Sequence, residues 1–468
     1  MDYVSTRGEA PALDFRGVTM TGLAPDGGLF LPRRWPQLSQ ADFAALRELS
    51  YAETATRVML PFIGDSIPNG TFAKLVEECY AEFGHPAVAP LVQLDHRHWL
   101  LELHHGPTLA FKDIALQLLG RLFEHFLGQS GGDITILGAT SGDTGSAAIH
   151  AVAGRPGMRI VMLHPAGRVS EVQRRQMTTV MAANVHNIAV DGSFDDAQAL
   201  VKTLFNDSAF RAEMALSAVN SINWARLMAQ IVYYVFAAVR LGGPDQPVSF
   251  SVPTGNFGDV FAGHIAARMG LPVGRLIVAT NENDIVARAI GEGDYSRGAV
   301  TPTSTPSMDI QVSSNFERLL YDAGGSDGAA TGALMRAFEA TGRLAIPDPI
   351  RAVIGARFRG HRVDSADMQR NLGHAYENIG VLVDPHTAVG LAAARACEGE
   401  IEGPIVTLAT AHPAKFPETV ERATGIRPPP PRRIAHLMDR AEQYTRLPAD
   451  AEALKAHLRG IAPRAEAA

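Results

Sequence analysis

The stretch from His105 to Phe123, HGPTLAFKDIALQLLGRLF, constrains this chain more than any other. From Phe111 its apolar residues fall at Phe111, Ile114, Ala115, Leu118, Leu119, Leu122 and Phe123, the spacing of one buried helix face. Lys112 is thereby set on the first turn of a mostly buried helix. There its ammonium is poorly solvated and close to the positive end of the helix dipole. Both effects favour the neutral amine, the form in which a lysine attacks a carbonyl carbon. The alternative is a lysine that snorkels out of the helix start and has no chemical role, which is the commoner fate of a lone lysine. Company decides between the two, and three further stretches supply it.

PTGNFGDVFAGHIAARMG, from Pro253 to Gly270, leaves a strand, turns through Gly255, Asn256, Phe257, Gly258 and Asp259, and enters a helix. Successive N–H groups in such a turn form a nest that suits a phosphate, and the glycines let the backbone come close to the anion. Taken alone the signal is weak, since strand-glycine-helix turns are common and most cradle nothing. Neither GxGxxG nor GxxxxGK[ST] is present, so no dinucleotide or nucleoside triphosphate is indicated. GATSGDTGSAA, from Gly138 to Ala148, also exits a strand, and Thr140, Ser141, Asp143 and Thr144 offer hydroxyls, a carboxylate and N–H groups. A plain helix start capped by Ser141 or Asp143 explains it equally well. In NSINWARLMAQ, Asn220 and Arg226 could converge on an anion; alternatively Asn220 or Ser221 caps the helix and Arg226 is a solvated charge.

The alternation around these stretches indicates βαβ units and a parallel sheet covered on both faces. Strands are expected at 99–103, 134–137, 158–163, 185–190, 248–252, 276–280, 381–383 and 405–408, with helices from about Thr144, over 224–241 and over 386–396. Residues 1–90 read as a separate N-terminal unit without visible chemistry. A catalytic core follows over 91–430, with a smaller α/β subdomain at about 125–215. The run Pro428 to Pro431 leads to a helical tail at 431–468.

At 468 residues, two or three domains are expected. A net charge of -7 argues against a nucleic-acid or anionic-membrane partner, while leaving small anions open. Two cysteines, Cys79 and Cys397, give neither a disulfide framework nor a CxxC cluster. There is no signal-peptide core and no apolar run long enough to span a bilayer, so a soluble cytoplasmic protein is expected. His104 and His105, adjacent on a strand, would face opposite sides and not share a metal, and His386 reads as a structural hydrogen-bonding residue. No metal is expected.

Taken together the stretches resemble the threonine synthase family of pyridoxal-phosphate enzymes. The resemblance spans nearly the whole chain: STRG (Ser5 to Gly8), APDGGLFLP (Ala24 to Pro32), HGPTLAFKD, ATSGDTGSAA, NSINWAR, VPTGNFGD, PSMDIQVSSNFER (Pro306 to Arg318), DPHTAVG (Asp384 to Gly390) and TAHPAKFPE (Thr410 to Glu418). The N-terminal pair points to the longer bacterial and fungal form. The resemblance implies an α/β protein of fold type II, similar to the tryptophan synthase β chain, with two doubly wound α/β domains plus an N-terminal extension. It implies pyridoxal 5'-phosphate held by Lys112 as the Schiff-base lysine, its phosphate by the N–H groups of Gly255, Asn256, Phe257, Gly258 and Asp259, and its ring nitrogen by Thr410. Thr140, Ser141, Asp143 and Thr144 would bind the substrate α-carboxylate, and Asn220 and Arg226 its phosphate, with Lys415 as an additional cation. The implied reaction is O-phospho-L-homoserine plus water to L-threonine and phosphate, the last step of threonine biosynthesis, by a monomer or homodimer. Competing readings are a serine or threonine dehydratase or a phospholyase of the same fold, and a non-catalytic relative. A small hydroxy-amino acid would not need Asn220 and Arg226, and retention of Lys112, the glycine turn and Thr410 argues against lost catalysis.

Overall fold

Two strands, Val248–Pro253 and Ile405–Ala409, are buried along their whole length, Ser249, Ser251 and Thr407 included, as a parallel sheet covered on both faces requires. In the computed structural model, which describes residues 1–461, the strands in chain order are β1 (Tyr3–Ser5), β2 (Phe30–Pro32), β3 (Leu91–Gln93), β4 (His98–Glu102), β5 (Ile134–Ala139), β6 (Met158–Pro165), β7 (Val185–Asp191), β8 (Leu216–Ser217), β9 (Val248–Pro253), β10 (Val273–Thr280), β11 (Phe358–Arg362), β12 (Ile405–Ala409) and β13 (Thr445–Pro448). The chain divides into two units, residues 1–118 with 221–429, and residues 119–220 with the segment from Pro430 onward.

The larger unit is built on a sheet ordered β11-β10-β9-β12-β4-β3. Every neighbouring pair is parallel except the β3–β4 hairpin. Asp95 shapes that hairpin's turn by accepting from the N–H groups of Arg97 and His98 at 2.7 and 2.8 Å. Leu100, Ile277, Ala279, Leu391 and Ile405 belong to one buried cluster on this sheet. The order of strands reverses around β9, β12 and β4, the kind of switch point at which α/β proteins place ligands, beyond the carboxyl ends of the strands. Three of the singled-out stretches leave from those three ends. β4 leads to the Lys112 helix (Lys112–Ser130), β9 to the glycine turn, and β12 to Thr410.

The N-terminal residues belong to this larger unit. β1 and β2 pair antiparallel, Tyr3 opposite Pro32, and the rings of Tyr3 and Phe62 lie 5.5 and 5.7 Å from that of Trp224. The STRG segment is tied down by charge. Arg7 pairs with Glu317 at 3.1 Å and Glu339 at 2.7 Å, and the Thr6 hydroxyl donates to Glu317 at 2.5 Å.

In the second unit the sheet runs β13-β7-β6-β5-β8, parallel throughout. Of the helical tail expected at 431–468, the described residues are only partly helical: Thr445–Pro448 forms β13 beside β7, and the helix Ala451–Ile461 follows, while 462–468 lie outside the described residues. Leu454 and Leu458 are buried in the same cluster as Leu137, Val161 and Ile188. Each such leucine stabilises by about 1.5–3 kcal/mol, so these residues are part of the unit's core. β13 escapes notice in the sequence because it is four residues long, lies at an edge and ends in proline.

The strand expected at 381–383 is absent. Gly380 is left-handed at the end of the preceding helical turn, and Asp384 caps the next helix by accepting from the N–H groups of His386 and Thr387. The short apolar run between them packs on the core without a ladder partner.

Candidate active site

The turn HGPTLAFKD is held from both sides. Ala110 and Ala411 form a bridge. Phe111 N–H donates to Thr410 C=O at 2.8 Å and His412 N–H to Leu109 C=O at 3.0 Å, which fixes the approach to Lys112 against the exit of β12. Below the turn, Asp113 is fully buried and accepts from Thr108 N–H at 2.8 Å and Thr108 Oγ1 at 2.7 Å. Burial raises its pKa, against the pull of the Thr108 hydrogen bonds and of Lys415. Lys415, expected as a cation for the substrate's phosphate, is fully buried, and its Nζ donates to Thr108 C=O at 2.6 Å. Lys112 opens the helix partly exposed, with Nζ 3.3 Å from Ser307 Oγ and 5.7 Å from the Phe111 ring centre. One lysine is thus sealed beneath the turn and the other is presented above it.

In the glycine turn Phe257 has φ 63°, and the helix Gly258–Arg268 starts directly after it. The first hydrogen bond at its start runs from Phe261 N–H to Phe257 C=O at 3.0 Å. Among the described residues no backbone acceptor takes the N–H groups of Gly255, Asn256, Phe257, Gly258 or Asp259. A Cβ on Gly255 would lie 2.3 Å from the Ser307 carbonyl oxygen, so only glycine fits there. The Asp259 side chain points inward, where Oδ1 accepts from Tyr233 and Tyr234 at 2.5 and 2.9 Å, and burial raises its pKa to about 6. Five donors with the one nearby carboxylate turned away suit a phosphate dianion. The residues present therefore fit a phosphorylated cofactor.

Thr410 is buried at the first position after β12. His104 and His105, expected on opposite faces of a strand, lie beyond the end of β4, and their rings are 4.9 Å apart. His104 also meets His412 edge-on at 5.3 Å. Burial lowers His104 to about 4 and His412 to about 3, so both are neutral at pH 7. His386 Nδ1 pairs with Asp384 Oδ2 at 2.7 Å. Among the described residues no group of three or more His, Cys, Asp or Glu is arranged to hold a metal ion.

Arg226 is buried in the first turn of the helix Trp224–Arg240, and burial lowers its pKa to about 10. Neither Asn220 nor Ser221 caps this helix. Asn223 does, accepting from Ala225 N–H at 3.0 Å and donating to Thr19 C=O at 2.8 Å, while Asn220 is exposed. In the second unit neither Ser141 nor Asp143, the two caps that the alternative reading offered, caps the helix. Thr140 Oγ1 accepts from Gly142 N–H at 3.0 Å and from Gly145 N–H at 2.9 Å. Asp143 is buried and accepts from Gln173 Nε2 at 2.8 Å, while Ser141 and Thr144 are part-exposed on the turn.

Ser307, Ser313 and Asn315 were given no role by the sequence. All three lie in PSMDIQVSSNFER, so the motif marked the segment and not the function of its residues. Ser307 faces Lys112, Ser313 Oγ donates to Gly255 C=O at 2.7 Å, and Asn315 Nδ2 donates to Asn256 C=O at 2.9 Å.

Comparison with known proteins agrees along the whole length. Residues 2–80 match the family model described as threonine synthase N terminus, residues 85–411 the pyridoxal-phosphate dependent enzyme model, and residues 387–458 the C-terminal threonine synthase model. The threonine synthase of Pseudomonas aeruginosa is 52% identical over 449 residues, 96% of each chain. Among solved structures, the pyridoxal-phosphate-bound threonine synthase of Brucella melitensis is 49% identical with a TM-score of 0.96, covering 99% of this chain and 100% of that one. The yeast threonine synthase is 36% identical with a TM-score of 0.93, covering 98% of each chain.

Proposed function

The chain belongs to the threonine synthase family of pyridoxal-phosphate enzymes, and on that premise we propose that Lys112, Thr410 and the turn Gly255–Asp259 hold the cofactor while the remaining polar stretches hold the substrate. The protein has fold type II and converts O-phospho-L-homoserine and water to L-threonine and phosphate, a lyase reaction of γ-elimination and β-hydration in amino-acid biosynthesis. When bound, pyridoxal phosphate supplies an electrophilic aldehyde and a ring that accepts negative charge from the substrate carbons.

The residues contribute the rest. Lys112 Nζ would hold the cofactor's aldehyde carbon, and as a free amine it would carry protons at the substrate's Cα and then Cβ, with Ser307 Oγ accepting from it and so orienting it. Thr410 offers a neutral hydroxyl to the ring nitrogen and so moderates the electron sink. Thr140, Ser141, Asp143 and Thr144 form the turn for the α-carboxylate, where Thr140 keeps the backbone in shape and the part-exposed Ser141 and Thr144 donate. Asn220 and Arg226 bind the substrate phosphate, and their donors stabilise charge as it leaves Cγ. That phosphate also supplies binding energy away from the reacting carbons, which discriminates against plain homoserine. Lys415 keeps the Thr108 turn, and hence Lys112, in place. In the same reading the protein is cytoplasmic, a monomer or homodimer, with no nucleic-acid or membrane partner. Among the described residues no helix is long and apolar enough to cross a membrane.

The observation that carries the assignment is the glycine turn, with five N–H donors outside the backbone ladder, no room for a Cβ at Gly255, and the Asp259 carboxylate withdrawn. Borohydride reduction of the cofactor-loaded protein followed by peptide mapping tests it. A pyridoxyl group on Lys112 is expected; one on another lysine contradicts the assignment.

A further inference from the structure

In the glycine turn two carbonyls are pinned from behind. Ser313 Oγ donates to Gly255 C=O at 2.7 Å. Asn315 donates twice to Asn256 C=O, from its backbone N at 3.1 Å and from Nδ2 at 2.9 Å. A trans peptide unit carries its C=O and N–H on opposite sides. Holding the carbonyls of Gly255 and Asn256 therefore aims the N–H groups of Asn256 and Phe257 the other way, out of the turn. Phe257 sits in the left-handed region, a conformation that costs a bulky residue on the order of 1–3 kcal/mol and persists only where its surroundings impose it.

Asn315 is itself held in one orientation. It is fully buried, its Oδ1 accepts from the Arg318 guanidinium, and its Nδ2 faces the carbonyls of Asn256 and Ser221, the latter at 3.1 Å. The flipped amide would set an oxygen against two carbonyls and an NH2 against a guanidinium. Arg318, also fully buried, is anchored in turn. Nε and Nη2 donate to Phe30 C=O at 3.0 and 2.7 Å, and Nη2 also to Ile222 C=O at 2.7 Å. Phe30 opens β2, so a strand of the N-terminal segment takes part in the chain of contacts that ends at the turn.

We propose that Asn315, oriented by Arg318 and Phe30 C=O, is a positioning residue for the phosphate cradle, and that Ser313 assists it from Gly255. This rests on the reading that Gly255–Asp259 holds the cofactor phosphate. Neither side chain touches the phosphate; both act by turning peptide units toward it. The role is distinguishable from general support of the fold, because it concerns only that part of the cofactor which the turn receives.

The test compares pyridoxal phosphate with pyridoxal, which lacks the phosphate, in binding to the full chain stripped of cofactor, for the parent protein and for Asn315→Ala and Ser313→Ala. Asn315→Ala should weaken pyridoxal phosphate by about tenfold, the value of one hydrogen bond to a buried carbonyl, and leave pyridoxal within about twofold. Ser313→Ala, which removes the single hydroxyl donor to Gly255 C=O, should show the same selectivity to a smaller degree and keeps the test intact if Asn315→Ala does not fold. Equal weakening of both ligands, or of neither, overturns the positioning role. A parent protein that binds the two ligands equally overturns the underlying phosphate reading instead.

Discussion

Lys112 Nζ lies 3.3 Å from the hydroxyl of Ser307, a residue 195 positions further along the chain. The helix brings the amine to this point and the Pro306–Met308 turn brings the hydroxyl. A hydrogen bond to a charged group contributes about 1.5–3 kcal/mol. Ser307→Ala should therefore lower kcat by roughly tenfold or more, with a smaller change in KM, read from phosphate release under steady-state conditions. An unchanged kcat would remove Ser307 from the account.

Gly255 meets the Ser307 carbonyl where a Cβ would stand 2.3 Å from the oxygen. Gly255→Ala must move either the turn or the Pro306–Met308 segment. Cofactor affinity should fall by roughly a factor of ten or more, since an overpacked site shifts at a cost of about 1–3 kcal/mol. Spectrophotometric titration of the stripped protein with pyridoxal phosphate reads the loss directly.

Lys415 and Asp113 are both fully buried around Thr108. Replacing Lys415 leaves the buried Thr108 carbonyl without its Nζ donor, which costs about 1–3 kcal/mol. Lys415→Met should lower unfolding stability by that order in urea titration. A raised KM for O-phospho-L-homoserine at unchanged stability would instead place Lys415 at the substrate's phosphate.

Asp259 has its pKa raised by burial to about 6, above the ordinary carboxylate value of 3.8. A raised folded-state pKa means the protonated form is favoured in the native protein. Its contribution to stability is present below pH 3.8 and lost as pH rises through about 6. Asp259→Asn keeps an oxygen for Tyr233 and Tyr234 and removes the titration. The stability difference between variant and parent should therefore grow in the variant's favour by on the order of 3 kcal/mol across that window. Urea unfolding at a series of pH values tests this, and parallel pH profiles would contradict it.

Much of this architecture was legible because its signals are local. The apolar run Ile160–Leu163 in β6 and the short, mostly apolar segments of β9 and β12 between helical stretches announce buried parallel strands, and the spacing after Phe111 announces the Lys112 helix. The glycine turn was legible too, since only residues permitting close approach fit beside Ser307. What escaped were contacts made at a distance. Ser307, Ser313 and Asn315 carry no signature of their own, and their partners lie 58 to 195 residues away. The residues that cap these helices were hidden for a related reason. Thr140 and Asn223 are polar residues among other polar residues, and only the path of the backbone decides which oxygen reaches an N–H group. His104 and His105 were set on a strand that ends two residues too soon for the alternation rule to apply.

The most direct test of the central claim is to incubate the cofactor-loaded protein with O-phospho-L-homoserine and quantify threonine and inorganic phosphate together, with Lys112→Ala beside it. The account predicts the two products in equal amounts from the parent protein and neither from the variant. Phosphate accompanied by 2-oxobutyrate in place of threonine, or threonine formation that survives in Lys112→Ala, would contradict it.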